Sequence, residues 1–256
     1  MLSAYAQFDR LHSGLYHDAW QAQTVSKLAS AMATQAGFNR KDSRFLAQVA
    51  LLHNADERID TRTGERQPHL PPQVHNTLDW LLEQRESLCR HFLWTKHNFN
   101  MACYLVARTA SPFDGEARQV SKNFRGKSPV EIAGHFLNEL PSEVREDAVR
   151  LGLILRFADQ IANFTGNQKR IDVSLAGMVK ELAASGAKVT VADLGIAKYL
   201  GQVGTDLSQD RALALRFGIN RDGLMGREAL LDLLPNPVRR RFEANLAALT
   251  KVAVAA

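Results

Sequence analysis

The sequence has few of the features that mark several common classes of protein. Its 256 residues include only two cysteines, Cys89 and Cys103. Neither belongs to a CxxC pair or a cysteine–histidine cluster, which excludes zinc ribbons and disulfide-stabilised scaffolds. No apolar run approaches the ~18 residues of a membrane-spanning helix. Residues 1–10 carry charged side chains where a signal peptide has an apolar run. We therefore expect a soluble, cytoplasmic protein in a reducing compartment, without a membrane partner.

The composition is that of an ordinary globular protein. Apolar residues make up 45% and charged residues 23% of the chain, which argues against disorder. The length suits one large domain, or one domain with a small appendage. The formal net charge is +5 and the pI is about 9.4. Because the basic residues are spread along the chain, this excess favours anionic partners only weakly.

The apolar residues recur mainly with helical spacing, which predicts an all-α or mainly α fold, a helical bundle. Residues 142–164 predict the longest and most apolar helix, beginning at Ser142 and ended by Gly166. The other segments with this period are 25–33, 45–52, 78–82, 101–106 and 132–140.

The pattern changes after residue 168. The segments 171–175 and 187–193 each allow a short strand, and helical patterning returns in 194–249. We therefore predict a helical domain of residues 1–168 and a small, mainly helical C-terminal subdomain of residues 169–256. The C-terminal part carries no motif that indicates a chemical role.

Several polar side chains occupy positions where the helical period places core residues. His53, Asp159 and Gln21 each continue an apolar stripe, and His17 lies one turn before Gln21 on the same face. An ionised aspartate on a buried helix face costs several kcal/mol unless it is paired or bound to a cation. We therefore expect these side chains to cluster. The alternatives are a hydrogen-bonded core histidine, an aspartate paired with Arg156 or a backbone donor, and a structural glutamine.

Three segments, taken in order, resemble the HD-domain superfamily of metal-dependent phosphohydrolases. Residues 21–37 are similar to its opening helix, in which a metal-binding histidine precedes a valine by four residues and a glycine by sixteen. The sequence ALLHNADE (50–57) resembles the helix that ends in the His-Asp doublet. The sequence LILRFADQIAN (153–163) resembles the late helix with the last metal-binding aspartate. The resemblance covers about residues 15–165 and implies a helical bundle built for phosphoester hydrolysis.

The resemblance also implies a site, and the sequence departs from it at two positions. It assigns the metal to His53 and Asp159. Gln21 stands at the former histidine position, and Asn54 replaces the aspartate of the doublet, so that it offers the metal only a neutral carbonyl oxygen as a weak ligand. Hard divalent cations prefer anionic oxygen, so two neutral amides should weaken metal binding severely. We expect either a metal-free polar network or a single weakly held ion.

Four further residues allow a rescued site for one ion of manganese, magnesium or iron. His17 lies one helical turn before the former histidine position, and Asp56 follows the histidine of the doublet by three residues. His75 and His97 lie where some members of the superfamily place two further histidines. An exposed position at the start of a helix is the alternative for each of these two.

Two basic clusters are candidates for phosphate binding. Lys122, Arg125 and Lys127 lie in a predicted loop, 111–127, and residues 239–241 are three consecutive arginines. A run of charges is more often only a solvated surface. Aromatic residues that would stack on nucleic acid bases are few, and no helix–turn–helix or zinc-finger pattern occurs, so sequence-specific DNA binding is not expected.

These observations predict a divergent or inactive phosphohydrolase that binds a phosphorylated small molecule, a polyanion or a protein partner. The incomplete ligand set is similar to that of the C-terminal helical domain of the exopolyphosphatase and guanosine-pentaphosphatase family, which serves polyanion binding. The alternative is an active mononuclear metal-dependent phosphohydrolase acting on a nucleotide or another phosphate ester. Di-iron oxygenase chemistry, known in a small branch of the superfamily, needs the complete ligand set and is not expected.

Overall fold

The structure is a computed structural model that describes residues 18–55, 74–110, 121–184 and 225–255, together with 212, 214–217 and 219. These residues are helical and contain no strand, which confirms the predicted all-α fold. None of the described helices is long and apolar enough to cross a membrane. The helices are α1 (Ala19–Gln35), α2 (Arg40–Leu52), α3 (Val74–Glu83), α4 (Arg85–Phe92), α5 (Lys96–Ala107), α6 (Pro129–Asn138), α7 (Ser142–Ala162), α8 (Gln168–Ala184), α9 (Arg227–Asp232) and α10 (Asn236–Ala255).

Helix α7 is the longest of the described helices and contributes much of the core. It packs against α1, α2 and α5, while α1 also packs along α2, and α5 contacts α3, α4 and α6. Almost every residue of α7 from Leu151 onward is buried. Gly152 lets α7 approach α5 closely, because a Cβ atom there would lie 3.3 Å from the ring of Tyr104. The pattern that predicted the most apolar helix thus marks a helix that is buried against three others.

The sequence predicted one end of α7 correctly and the other incorrectly. The helix begins at Ser142, as expected, but it ends at Ala162 rather than at Gly166. After Ala162 the backbone N–H groups of Phe164 and Thr165 donate to carbonyls three residues earlier, which tightens the chain into turns. The helix therefore ends before the glycine is reached.

The prediction of a strand at 171–175 is wrong, because this segment lies within α8. The side chain of Asn167 caps the first turn of the helix. The buried residues Ile171 and Leu175 are four positions apart, which is the helical period. The second predicted strand, 187–193, lies outside the described residues.

Two helices begin with reciprocal side-chain caps. In α5, Thr95 and Asn98 cap each other's backbone, and in α6, Ser128 and Glu131 do the same. The backbone and hydroxyl hydrogen bonds from Ser128 hold the pKa of Glu131 below its ordinary value. The contribution of this cap to stability is therefore present at neutral pH and is lost as the pH falls through the lowered pKa of Glu131.

A buried carboxylate anchors the segment that precedes α6. Asp79 on α3 accepts hydrogen bonds from the backbone N–H of Lys122 at 2.8 Å and of Asn123 at 3.1 Å. It also accepts one from the side-chain amide of Asn123 at 2.8 Å. Asp79 therefore fixes the path of the chain through residues 121–124.

Replacing Asp79 by alanine should lower the free energy of unfolding by about 2 kcal/mol, because two backbone donors lose their acceptor. Urea denaturation followed by circular dichroism measures this change. Asp147→Ala removes a half-exposed carboxylate from α7 and is the matched control, with an expected effect below about 0.5 kcal/mol. Equal effects of the two substitutions would show that Asp79 does not hold this segment.

Candidate functional site

The side chains of four residues from the predicted site meet between α1, α2 and α7. Gln21 lies on α1, His53 and Asn54 directly follow α2, and Asp159 lies on α7. Gln21 and His53 are fully buried, and the side chain of Asp159 is 13% exposed. The Nε2 atom of His53 lies 3.0 Å from Oδ1 of Asp159. This distance confirms the expectation that the aspartate on the apolar face contacts the imidazole of a distant segment.

Two amide side chains extend this contact into a network. The Nε2 group of Gln21 donates to Oδ1 of Asp159 at 2.6 Å. The Nδ2 group of Asn54 donates in turn to Oε1 of Gln21 at 3.0 Å. An ionised carboxylate only accepts hydrogen bonds, so Gln21 must turn its NH₂ group toward Asp159 and its carbonyl oxygen toward Asn54. The orientation of both amides therefore follows from the charge of the aspartate.

The imidazole of His53 is held by the backbone on its other side. Its Nδ1 lies 2.6 Å from the carbonyl oxygen of Ala50, and a carbonyl only accepts, so Nδ1 carries a proton. The other ring nitrogen, Nε2, faces Oδ1 of Asp159. Metal-binding histidines commonly use the same arrangement, in which one ring nitrogen donates to a backbone carbonyl and the other faces the ion.

The four described side chains do not fit a divalent cation. They include one imidazole and one carboxylate, and Gln21 presents an N–H group rather than its oxygen to Asp159. Divalent cations bind anionic and carbonyl oxygens, not amide N–H groups. Within the described ranges, no three histidine, cysteine, aspartate or glutamate side chains are grouped so as to hold a metal ion. The predicted substitute ligands His17 and Asp56 lie outside the described residues.

His75 and His97, the two further histidines, form no metal-binding group with His53 and Asp159. His75 lies in the first turn of α3 and is buried, so an exposed position is wrong for this residue. Its Nε2 lies 2.8 Å from the carbonyl oxygen of Lys127 and donates to it. His97 lies in the first turn of α5 and is exposed, as the alternative interpretation predicts.

The basic residues that were predicted to bind phosphate lie on the segment held by Asp79. The side chains of Lys122, Arg125 and Lys127 are exposed. The Nζ group of Lys122 lies 2.7 Å from Glu83, whose hydrogen bond and charge raise the pKa of the lysine above its ordinary value. Its charge is therefore already partly neutralised.

The second basic cluster, residues 239–241, is partly neutralised in the same way. Arg239 pairs with Asp232 at 2.6 Å and with Glu243 at 2.9 Å. Arg241 donates to the carbonyl oxygen of Thr165 at 3.4 Å. These contacts favour a structural role for the cluster over phosphate binding.

The guanidinium of Arg156 is fully buried and reaches the chain beyond the end of α5. It donates to the backbone carbonyls of Arg108 and Ala110. The sequence offered Arg156 as an alternative partner for Asp159. In the structure Arg156 holds the segment that follows α5. The carbonyl groups there lie past the end of the helix and therefore have no helical N–H donor.

One supporting pair of the site was missed in the sequence. The side chain of Asp18 accepts from the backbone N–H of Gln21 at 2.9 Å and so caps α1. Arg170 on α8 pairs with Asp18 at 2.7 Å and lies 4.4 Å from the ring of Trp20. An aspartate directly before a helical pattern is the signal that would have identified this cap. The pair crosses the predicted boundary at residue 168, which itself stays a prediction.

Comparison with known proteins identified no relative of this chain. The chain matches no protein-family model, no curated protein and no solved structure. The resemblance to the HD superfamily therefore stays a prediction that rests on the sequence segments named above.

Proposed function

We propose that this protein is a divergent HD-like helical scaffold that binds a phosphorylated ligand without metal-dependent hydrolysis. The observation that carries the proposal is the meeting of Gln21, His53, Asn54 and Asp159 at one point between three helices. The segments that supply these residues follow one another in the order in which HD proteins place their ligands. The resemblance implies that this hydrogen-bonded network corresponds to the position at which such proteins bind metal.

The network supplies the electrostatic stabilisation that a cation would give. Oδ1 of Asp159 accepts from the amide of Gln21 and contacts the ring of His53. These donors take the lone pairs that a metal ion would use. Asn54, in place of an aspartate, removes one negative charge from the cluster and completes the chain of donors through Gln21.

The segment 121–127 supports the assignment of a phosphorylated ligand. His75 donates to the carbonyl of Lys127, and Asp79 holds the backbone near residue 122, so the path of this segment is fixed at both ends. Exposed side chains of Arg125 and Lys127 project from it. A guanidinium group matches the oxygens of phosphate in pairs, and a lysine adds a point charge.

Isothermal titration with inorganic tripolyphosphate in the presence of EDTA tests this function. We expect saturable binding that EDTA does not change, and binding about tenfold weaker in the double variant Arg125→Gln/Lys127→Gln. The matched control is Lys27→Gln/Lys169→Gln, which removes the same charge from exposed positions on α1 and α8. Absence of binding, loss of binding in EDTA, or equal weakening in both double variants would contradict the proposal.

Hydrolysis at a mononuclear metal site is the second candidate function, and it needs ligands in addition to the four described side chains, which do not fit a divalent cation by themselves. One observation favours it, because the hydrogen bond from Nδ1 of His53 to Ala50 is the arrangement that orients metal-binding histidines. This function predicts manganese-dependent hydrolysis of p-nitrophenyl phosphate that Asp159→Ala abolishes. The proposed binding function predicts no hydrolysis above the uncatalysed rate with either protein.

A further inference from the structure

The turn between α4 and α5 holds an apolar side chain in solvent on an unusual backbone. Leu93 has φ 57° and ψ 39°, and it is the one non-glycine residue with positive φ among the described residues. It is 87% exposed. Helices that end in this conformation commonly use glycine, because a Cβ atom there is strained. The leucine side chain stabilises neither the turn nor the core, which points to a role outside the fold.

The residues on either side of Leu93 hold the turn in place. Trp94 is buried, and its Nε1 group donates to Oε1 of Gln48 on α2 at 2.9 Å. Its ring stacks on Phe92 with a centroid distance of 4.9 Å and meets the ring of Phe45 edge-on at 5.5 Å. The backbone at Leu93 is therefore fixed, and the leucine projects from a packed aromatic base.

The three elements that meet at this turn carry exposed cations. Arg90 precedes Leu93 by three residues on α4, and Lys96 begins α5. Trp94 contacts Phe45 and Gln48, so helix α2 lies beside the turn. Lys41 and Arg44 lie one helical turn before these two residues, on the same face of α2. All four cations are exposed. The same elements also carry the ionisable side chains of Glu86, His91, His97 and Asp42, and Asp42 is hydrogen-bonded to Asn39.

We propose that this turn docks on an anionic membrane surface, with Leu93 inserted among the acyl chains and the exposed cations of the adjoining helices on the lipid headgroups. Two copies of the chain would bring like charges together around Leu93. A protein interface needs about 800 Å² from each partner, whereas one projecting side chain offers a small fraction of that area. A bilayer receives a single apolar side chain without a matching pocket, and its anionic headgroups complement the four cations.

This proposal departs from the expectation of no membrane partner, which rested on the absence of an apolar run long enough to span a bilayer. It concerns attachment to a surface, which needs no spanning helix. It does not depend on the proposed function, because neither the network at Asp159 nor the segment 121–127 takes part.

Co-sedimentation of the full chain with lipid vesicles tests the proposal. We expect partition onto phosphatidylcholine vesicles that contain about one third phosphatidylserine, decreasing with salt, and none onto pure phosphatidylcholine. Leu93→Gly suits the positive φ and should fold, but its partition coefficient should be about tenfold lower, because the inserted side chain is lost. The matched control is Val173→Ala, which removes apolar surface from a half-exposed position on α8 and should change nothing.

Charge variants, binding of soluble polyglutamate and self-association complete the test. Arg90→Gln/Lys96→Gln should lower the partition coefficient by about tenfold or more, and Lys27→Gln/Lys169→Gln by much less. No partition of the unaltered protein onto anionic vesicles, or equal partition of Leu93→Gly, overturns the proposal. Binding of soluble polyglutamate without vesicle binding, which would indicate an acidic protein partner, also overturns it. So does self-association that Leu93→Gly abolishes while vesicles are not bound.

Discussion

The double variant Gln21→His/Asn54→Asp should bind about one manganese ion per chain, whereas the unaltered protein should bind fewer than about 0.1. The substitutions place an imidazole and a carboxylate beside His53 and Asp159. The Gln21 amide already lies 2.6 Å from the carboxylate oxygen, so a ring at residue 21 is within reach of an ion held there. Two carboxylates and two imidazoles then form a ligand set of the kind that divalent transition metals bind.

Metal content by mass spectrometry and thermal unfolding with and without manganese measure this gain. Without metal the variant should unfold at a lower temperature than the unaltered protein, because a second carboxylate is buried near Asp159. Added manganese should raise its unfolding temperature, since the ion binds only the folded state. Gln35→His/Asn138→Asp makes the same changes at exposed positions and should bind no metal. Equal metal content in both variants would show that these positions do not form a site.

Replacing His53 by alanine should lower the free energy of unfolding by about 3 kcal/mol or more, the largest loss that we expect from a single substitution. The ring is fully buried, and its removal leaves the carboxylate of Asp159 with one fewer partner in an apolar surrounding. It also leaves the carbonyl of Ala50 without its donor and creates a cavity.

Urea denaturation of single and double variants separates these effects. His53→Ala/Asp159→Ala should be destabilised by less than the sum of its two single variants, because the unpaired carboxylate is absent. His97→Ala removes an exposed histidine and should change the free energy of unfolding by less than about 0.5 kcal/mol. If His53→Ala is no less stable than His97→Ala, the network does not stabilise the fold.

The sequence predicted the helical fold and the core of the site because both depend on burial. A period of three to four residues is repeated many times along a helix, so α7 could be identified from its apolar residues. An aspartate on that apolar face needs a partner, and His53 on a second stripe was the natural candidate. The structure places their side chains 3.0 Å apart.

The features that the sequence did not reveal depend on single contacts. The strand predicted at 171–175 has β-branched residues in alternation, but one cap at Asn167 and four-residue spacing of buried side chains make it helical. Asp79 looked like any polar residue of α3, since its partners are backbone groups that carry no sequence signal. The positive φ at Leu93 had no signal either, because the residue expected there is glycine.

The metal content of the unaltered protein, purified and then incubated with manganese, tests the central claim most directly. We propose that hydrogen bonds among Gln21, His53, Asn54 and Asp159 take the place of a metal centre. Inductively coupled plasma mass spectrometry should find fewer than about 0.1 manganese, magnesium or iron ions per chain. About one tightly held ion per chain that Asp159→Ala removes would contradict it.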